Sequence, residues 1–175
     1  MDLIIITCIS LIVITLILIW IIIVYNNYQR LKFKLQEAEN NMNTLIRNEF
    51  DTLNNIGNII KNTFKGEEPF KELSELKSKK LSSFELNRKL KEYVAELYNY
   101  KEKYSKTFRE NDELQKLVEN LDETEGYIEG CQNYYNDTVI KYNKAISIFP
   151  NMIIAKVTRQ KEKMLFDKID EDFKL

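Results

Sequence analysis

The chain has 175 residues, enough for one domain with an appendage. Only 4 glycines and 2 prolines punctuate it, so long helices are expected rather than a turn-rich fold. There is no histidine, and 26 Lys and Arg balance 27 Asp and Glu, which excludes a Ser-His-Asp triad and a di-iron ExxH bundle and argues against a nucleic-acid binder.

Residues Leu3 to Tyr25 read "LIIITCISLIVITLILIWIIIVY" without a charge. As a helix they would extend about 35 Å, enough for a hydrocarbon core of about 30 Å. Trp20 and Tyr25 fall near one end, where amphipathic rings favour the interface. A signal peptide fits less well: the run is too long, no basic region precedes it and no A-x-A site follows. Residues 1–25 are therefore expected to be a transmembrane anchor in the lipid bilayer. Arg30, Lys32 and Lys34 follow the span and only Asp2 precedes it. The positive-inside rule then predicts a single-pass protein of the cell membrane, N-terminus outside and the remainder in the cytoplasm. Beyond residue 25 there are 26 basic and 26 acidic residues, so no basic excess points to nucleic acid.

From Asn26 to Lys65 apolar residues recur at Leu31, Leu35, Ala38, Met42, Ile46, Phe50, Leu53, Ile56, Ile60 and Phe64. The average step of about 3.7 residues is a helical stripe. Gly66 and Pro69 predict its stop. "KELSELKSKK" reads as a short polar helix or loop. Ser82 and Glu85 form a capping box, opening a helix from Phe84 to about Thr107 with Leu86, Leu90, Tyr93, Leu97, Tyr100 and Tyr104 on one face. Asn111 suits the N-cap of the last long helix. There Leu114, Leu117, Leu121, Thr124, Ile128, Cys131, Tyr135, Thr138, Tyr142, Ala145 and Phe149 alternate steps of three and four, an a/d seam. Asn136 and Asn143 sit beside it, where an amide can hydrogen-bond across to a neighbouring helix, and Pro150 ends it. The predicted fold is all-α: the membrane helix, then an antiparallel bundle of long helices, four in number, over 26–150, and an amphipathic or capping segment over 151–175.

The stretch "LDETEGYIEGCQNYYNDTVIKYNKAISIFPNMIIAK" resembles the closing region of LemA-family proteins. The matching residues are Glu125, Ile128, Tyr135, Asn136, Val139, Tyr142, Asn143, Ile146, Phe149, Pro150, Ile154 and Ala155. Phe50, Asp51 and Asn55 in "NEFDTLNNI" fit the family's R-R-Y-D-L-I-P-N-L pattern. Two positions depart from it. Asn54 replaces a proline, so the bend that residue implies is not expected. Gln132 stands where the family has an arginine, which removes a cross-helix ion pair with an acid such as Asp51. The resemblance implies a membrane-anchored bundle of four helices, in a family without an established enzymatic activity.

Sharper chemistry finds little support. Asp122, Glu123, Glu125 and Glu129 could be read as a carboxylate site for Ca²⁺ or Mg²⁺, but a solvated helix face is the stronger reading, and no metal or other cofactor is expected. Cys131 lies on the seam, where a thiol acts as a small hydrophobe. No GxxxxGK[ST] or GxGxxG is present. An enzyme would need a concave polar pocket with perturbed carboxylates, which a filled seam would lack. The expectation is thus a non-catalytic scaffold or assembly factor acting through protein partners, with self-association through any exposed seam. The alternative is a membrane-shaping protein. In the tail Ile153, Val157 and Met164 share a helical face, and Lys156, Arg159 and Lys163 are placed to meet anionic headgroups.

Overall fold

A computed structural model describes residues 2–64, 69–76, 79 and 81–166. Their regular elements are all helical: α1 (Asp2–Thr63), α2 (Leu73–Leu76), α3 (Ser83–Lys103), α4 (Ser105–Glu110), α5 (Asp112–Ser147) and α6 (Asn151–Val157). Helix α1 runs without interruption through Asn54, as a sequence lacking proline there should. The expected stop at Gly66 lies outside the described residues. Contacts gather the chain into two compact units, Met1–Glu37 with Asn136–Leu165, and Ala38–Tyr135 with Phe166–Leu175.

In the second of these units the α1 stripe is buried as its spacing predicts. Ala38, Met42, Ile46, Phe50, Leu53, Ile56 and Ile60 all face the core. Each fully buried side chain of this size contributes about 1.5–3 kcal/mol. After α1 the chain returns along it. The short polar helix expected in this stretch is α2, and the burial of Phe70, Leu73 and Leu76 makes it a strap held to the core by a few apolar side chains. Its fit depends on Gly57, where an added Cβ would lie 3.0 Å from the Phe70 ring. Among the described residues between α1 and α3, the four of α2 are the helical ones.

Helix α3 starts at the capping box. The Ser82 hydroxyl accepts from the Glu85 amide at 3.3 Å, and the Ser82 amide donates to the Glu85 carboxylate at 2.8 Å. Its buried line is Asn87, Leu90, Val94 and Leu97, while Leu86, Tyr93, Tyr100 and Tyr104 of the expected face are half-buried. Helix α3 ends at Lys103, earlier than expected. The backbone breaks at Tyr104, whose ring lies 4.2 Å from that of Phe64, and the turn into α4 buries Phe108. Asn111 caps α5 as expected, its side-chain oxygen accepting from the amides of Glu113 and Leu114 at 3.0 and 3.1 Å. Tyr98 donates to Asp122, and the Phe84 and Tyr135 rings sit 5.8 Å apart. These pairs make α3 and α5 antiparallel.

In the other unit α1 and α5 also run antiparallel, with the rings of Tyr28 and Tyr142 6.3 Å apart. Tyr28, Leu35, Val139, Tyr142, Ile146 and Ala155 are buried. The seam does not extend to Phe149. Helix α5 stops at Ser147, so Phe149 leaves the heptad register; it is 62% exposed, and its ring lies 5.9 Å from that of Trp20. The Phe149–Pro150 peptide is cis. The apolar residues from Leu3 to Ile23 are exposed throughout. Among the described residues α1 is the one helix long and apolar enough to cross a membrane.

Helix α6 is shorter than the tail pattern suggests. It ends in a Schellman motif: Arg159 adopts φ 52°, its amide donates to the Lys156 carbonyl at 3.2 Å, and the Gln160 amide donates to the Ala155 carbonyl at 2.9 Å. Ile153 and Val157 are exposed on α6, but Met164 lies beyond the helix and does not share its face.

Candidate functional site

The unit of Ala38–Tyr135 is not filled throughout. A cleft of about 430 Å³ opens between α1, α3 and α5, lined by Glu49, Asn87, Lys91, Glu125, Gly126, Ile128, Glu129 and Gln132. This is the concave polar pocket that the filled seam was expected to preclude, and that expectation is corrected. Two features of the sequence accompany it. Gly126 contributes no side chain on the α5 wall, and the seam there carries small, half-buried Cys131 with polar Gln132 beside it.

Glu49 is the unusual member. It is 1% exposed, and its Oε2 has no hydrogen-bond partner among the described residues. Burial, reinforced by the Glu125 carboxylate and opposed by the Lys91 ammonium, pushes its carboxyl up to about 7. Burial also raises Glu125, with Asp122 adding to the effect and Lys91 opposing it. Gln132 Nε2 is likewise buried without a partner among the described residues. An unmatched acceptor and an unmatched donor thus line one cleft, each carrying a desolvation penalty of about 1–3 kcal/mol until something fills them. The arrangement can hold a polar ligand and can exchange a proton near neutral pH.

The residues singled out from the sequence separate into three places. Glu125 and Ile128 line the cleft, Glu125 half-buried and Ile128 buried. Phe50 and Asp51 line a different cavity of about 420 Å³, beside Leu76 and Leu81 of the strap; Asp51 and Asn55 are exposed. Gln132 therefore shares the cleft with Glu49, Glu125 and Glu129 and not with the expected Asp51; Glu49, two residues earlier on α1, is buried where Asp51 is exposed. Glu49, Asn87 and Lys91 were missed. The signal for Glu49 was present, because Ile46, Glu49 and Leu53 are spaced by three and four and put a carboxylate on the buried stripe.

Tyr135 packs against Phe84, and burial, helped by Glu39, pushes its hydroxyl up to about 12. In the other unit Tyr142 and Asn143 act as a clamp. The Tyr142 hydroxyl donates to Gln160 Oε1 at 3.2 Å. Asn143 Nδ2 donates to the Lys163 carbonyl at 2.7 Å, and its Oδ1 accepts from the Lys163 amide at 2.9 Å. The Asn143 amide thus bonds across to non-helical backbone and not to the neighbouring helix that was expected. Asn136 is half-buried. Phe149 and Pro150 form the turn between α5 and α6, and Lys156, Arg159 and Lys163 are exposed.

Long antiparallel helices, an exposed apolar N-terminal segment and a polar cleft define a helical-bundle protein with a candidate membrane helix. The family model described as LemA family matches residues 38–174, and the chain belongs to that family. No curated protein matches it.

Proposed function

We propose that this LemA-family protein is anchored in the cell membrane by its N-terminal helix and acts without turnover, as a scaffold or assembly factor for other proteins. The observation that carries the reading is the exposed apolar surface from Leu3 to Ile23, continued beside Trp20 by Phe149. Such a surface is stable in lipid and a liability in water. Ile148, Phe149, Ile153 and Val157 are 50–78% exposed, next to exposed Lys156 and Arg159. This composition suits the headgroup boundary. Tyr127 and Tyr134, seven residues apart on α5, are also exposed, as aromatic anchors of a protein interface would be. In this reading the N-terminus is outside and the bundle is cytoplasmic.

Alkaline extraction and protease protection test the anchor: the protein stays with the membrane, and only cytoplasmic protease digests the bundle. A photo-cross-linker at Tyr127 tests the scaffold role, and adducts confined to lipid would refute it. Membrane shaping is the second reading, favoured by the apolar and basic residues of 148–159. It predicts that purified full-length protein alone deforms vesicles.

A further inference from the structure

We propose that the Glu49 cleft binds an organic cation, an ammonium or guanidinium group on a molecule that also carries a hydrogen-bond acceptor. Glu49 receives the cation and Gln132 donates to the acceptor. The inference rests on two buried atoms of opposite polarity, Glu49 Oε2 and Gln132 Nε2, that share one cavity and have no partner among the described residues. A ligand must present a donor to the first and an acceptor to the second.

Charge decides what kind of donor. Glu49 from α1 and Glu125 and Glu129 from α5 face the cleft, with only Lys91 of α3 opposing them. Three carboxylates against one ammonium favour a cation. A divalent metal is a poor fit, because among the described residues no three acidic or thiol side chains converge on one point. The volume of about 430 Å³ also far exceeds the roughly 30 Å³ share of one water. A planar guanidinium or an alkylammonium fills such a space and offers several N–H donors to carboxylates. Lys91 and Gln132 leave room for a negative or neutral acceptor at the other end of the same molecule. Free arginine has both parts, and so has an arginine side chain beside a peptide carbonyl. The two sources share the chemistry.

Isothermal titration calorimetry of the full chain in detergent micelles tests this with L-arginine, L-citrulline and a short arginine-containing peptide. Saturable binding of arginine or of the peptide is expected at pH 8, and which of the two binds more tightly assigns the source. The citrulline side chain has the shape of arginine's but no charge, so citrulline, left with the same α-ammonium and carboxylate, should bind far more weakly than arginine. Glu49 must ionise to take the cation, so affinity should fall about 100-fold between pH 8 and pH 5. Of the other charged groups lining the cleft, Lys91 of α3 and Glu125 and Glu129 of α5, burial raises the Glu125 carboxyl, which can only add to the loss. Glu49→Gln keeps the shape of the side chain and should abolish binding while the helical circular-dichroism signal is unchanged. The proposal is overturned if neither arginine nor the peptide binds, or if Glu49→Gln binds as tightly as the parent chain.

Discussion

The Tyr142–Asn143 clamp and the Glu49–Gln132 cleft both place polar groups inside helix packing, and they are completed differently. In the clamp every polar atom named has its partner, three hydrogen bonds joining α5 to Gln160 and Lys163. In the cleft a carboxylate oxygen and an amide nitrogen are buried with none among the described residues. A satisfied polar group fixes the register of the chain that satisfies it. An unsatisfied one stores free energy that a bound molecule can recover. The clamp therefore reads as structure and the cleft as a site, although both consist of ordinary helix residues.

The largest expected effect breaks the cleft side of this contrast. Glu49 has its carboxyl raised from 4.5 to about 7, so the folded chain holds a proton that the unfolded chain releases first. Its burial is accommodated fully below pH 4.5, becomes unfavourable as pH rises from 4.5 to 7, and is constant above. A shift of this size corresponds to about 3 kcal/mol. Glu49→Gln should therefore stabilise the protein by up to about 3 kcal/mol at pH 8 and by almost nothing at pH 4. Urea unfolding in detergent at the two pH values checks it. A parent chain equally stable at both would show that Glu49 is not desolvated.

Gln132→Arg sharpens the same side. A guanidinium reaching the Glu49 carboxylate turns two orphaned atoms into a charge-assisted pair. We expect about 2 kcal/mol of added stability at pH 8, diminishing toward pH 4 as Glu49 protonates, and a lowered Glu49 pKa. The carboxyl carbon resonance of Glu49, followed by NMR against pH, reports that shift directly. Tethered arginine should also displace free arginine from the cleft.

On the clamp side, Asn143→Ala removes two hydrogen bonds and leaves the Lys163 backbone to water. The clamp is part-exposed, so the loss should be about 1–2 kcal/mol. Amide exchange at Lys163 gives the finer readout. It should rise sharply in Asn143→Ala and stay unchanged in Glu49→Gln.

How much of this was legible in the sequence depended on periodicity. The α1 stripe from Leu35 to Ile60 was readable because each apolar residue falls within one helical step of the next. The capping box at Ser82 and the cap at Asn111 were readable because those motifs are local. The strap was not, because "KELSELKSKK" carries only Leu73 and Leu76 as apolar residues and its fit is made by Phe70 against Gly57, thirteen residues away. The cleft was hidden for the opposite reason. An a/d reading assumes that every seam position is filled, and a stripe read from apolar residues alone passes over Glu49 between Ile46 and Leu53. Only the three-dimensional arrangement brings Glu49 of α1 and Gln132 of α5 to the lining of one cleft.

The smallest effect concerns the turn that delivers the chain to the clamp. Arg159 holds φ 52°, a conformation that penalises a Cβ, so that the amides of Arg159 and Gln160 can close the end of α6. Glycine relieves that penalty but gives the unfolded chain more freedom. The net gain expected for Arg159→Gly is about 0.5–1 kcal/mol in urea unfolding. The substitution also removes an exposed charge without disturbing the cap, whereas Arg159→Glu would reverse the charge and keep the strain. Lipid contact at this end can then be read separately from folding. With a nitroxide at Val157 in nanodiscs of anionic lipid, accessibility to membrane-dissolved oxygen should fall in Arg159→Gly even as the fold gains stability. An unchanged signal would make Arg159 a residue of the turn alone.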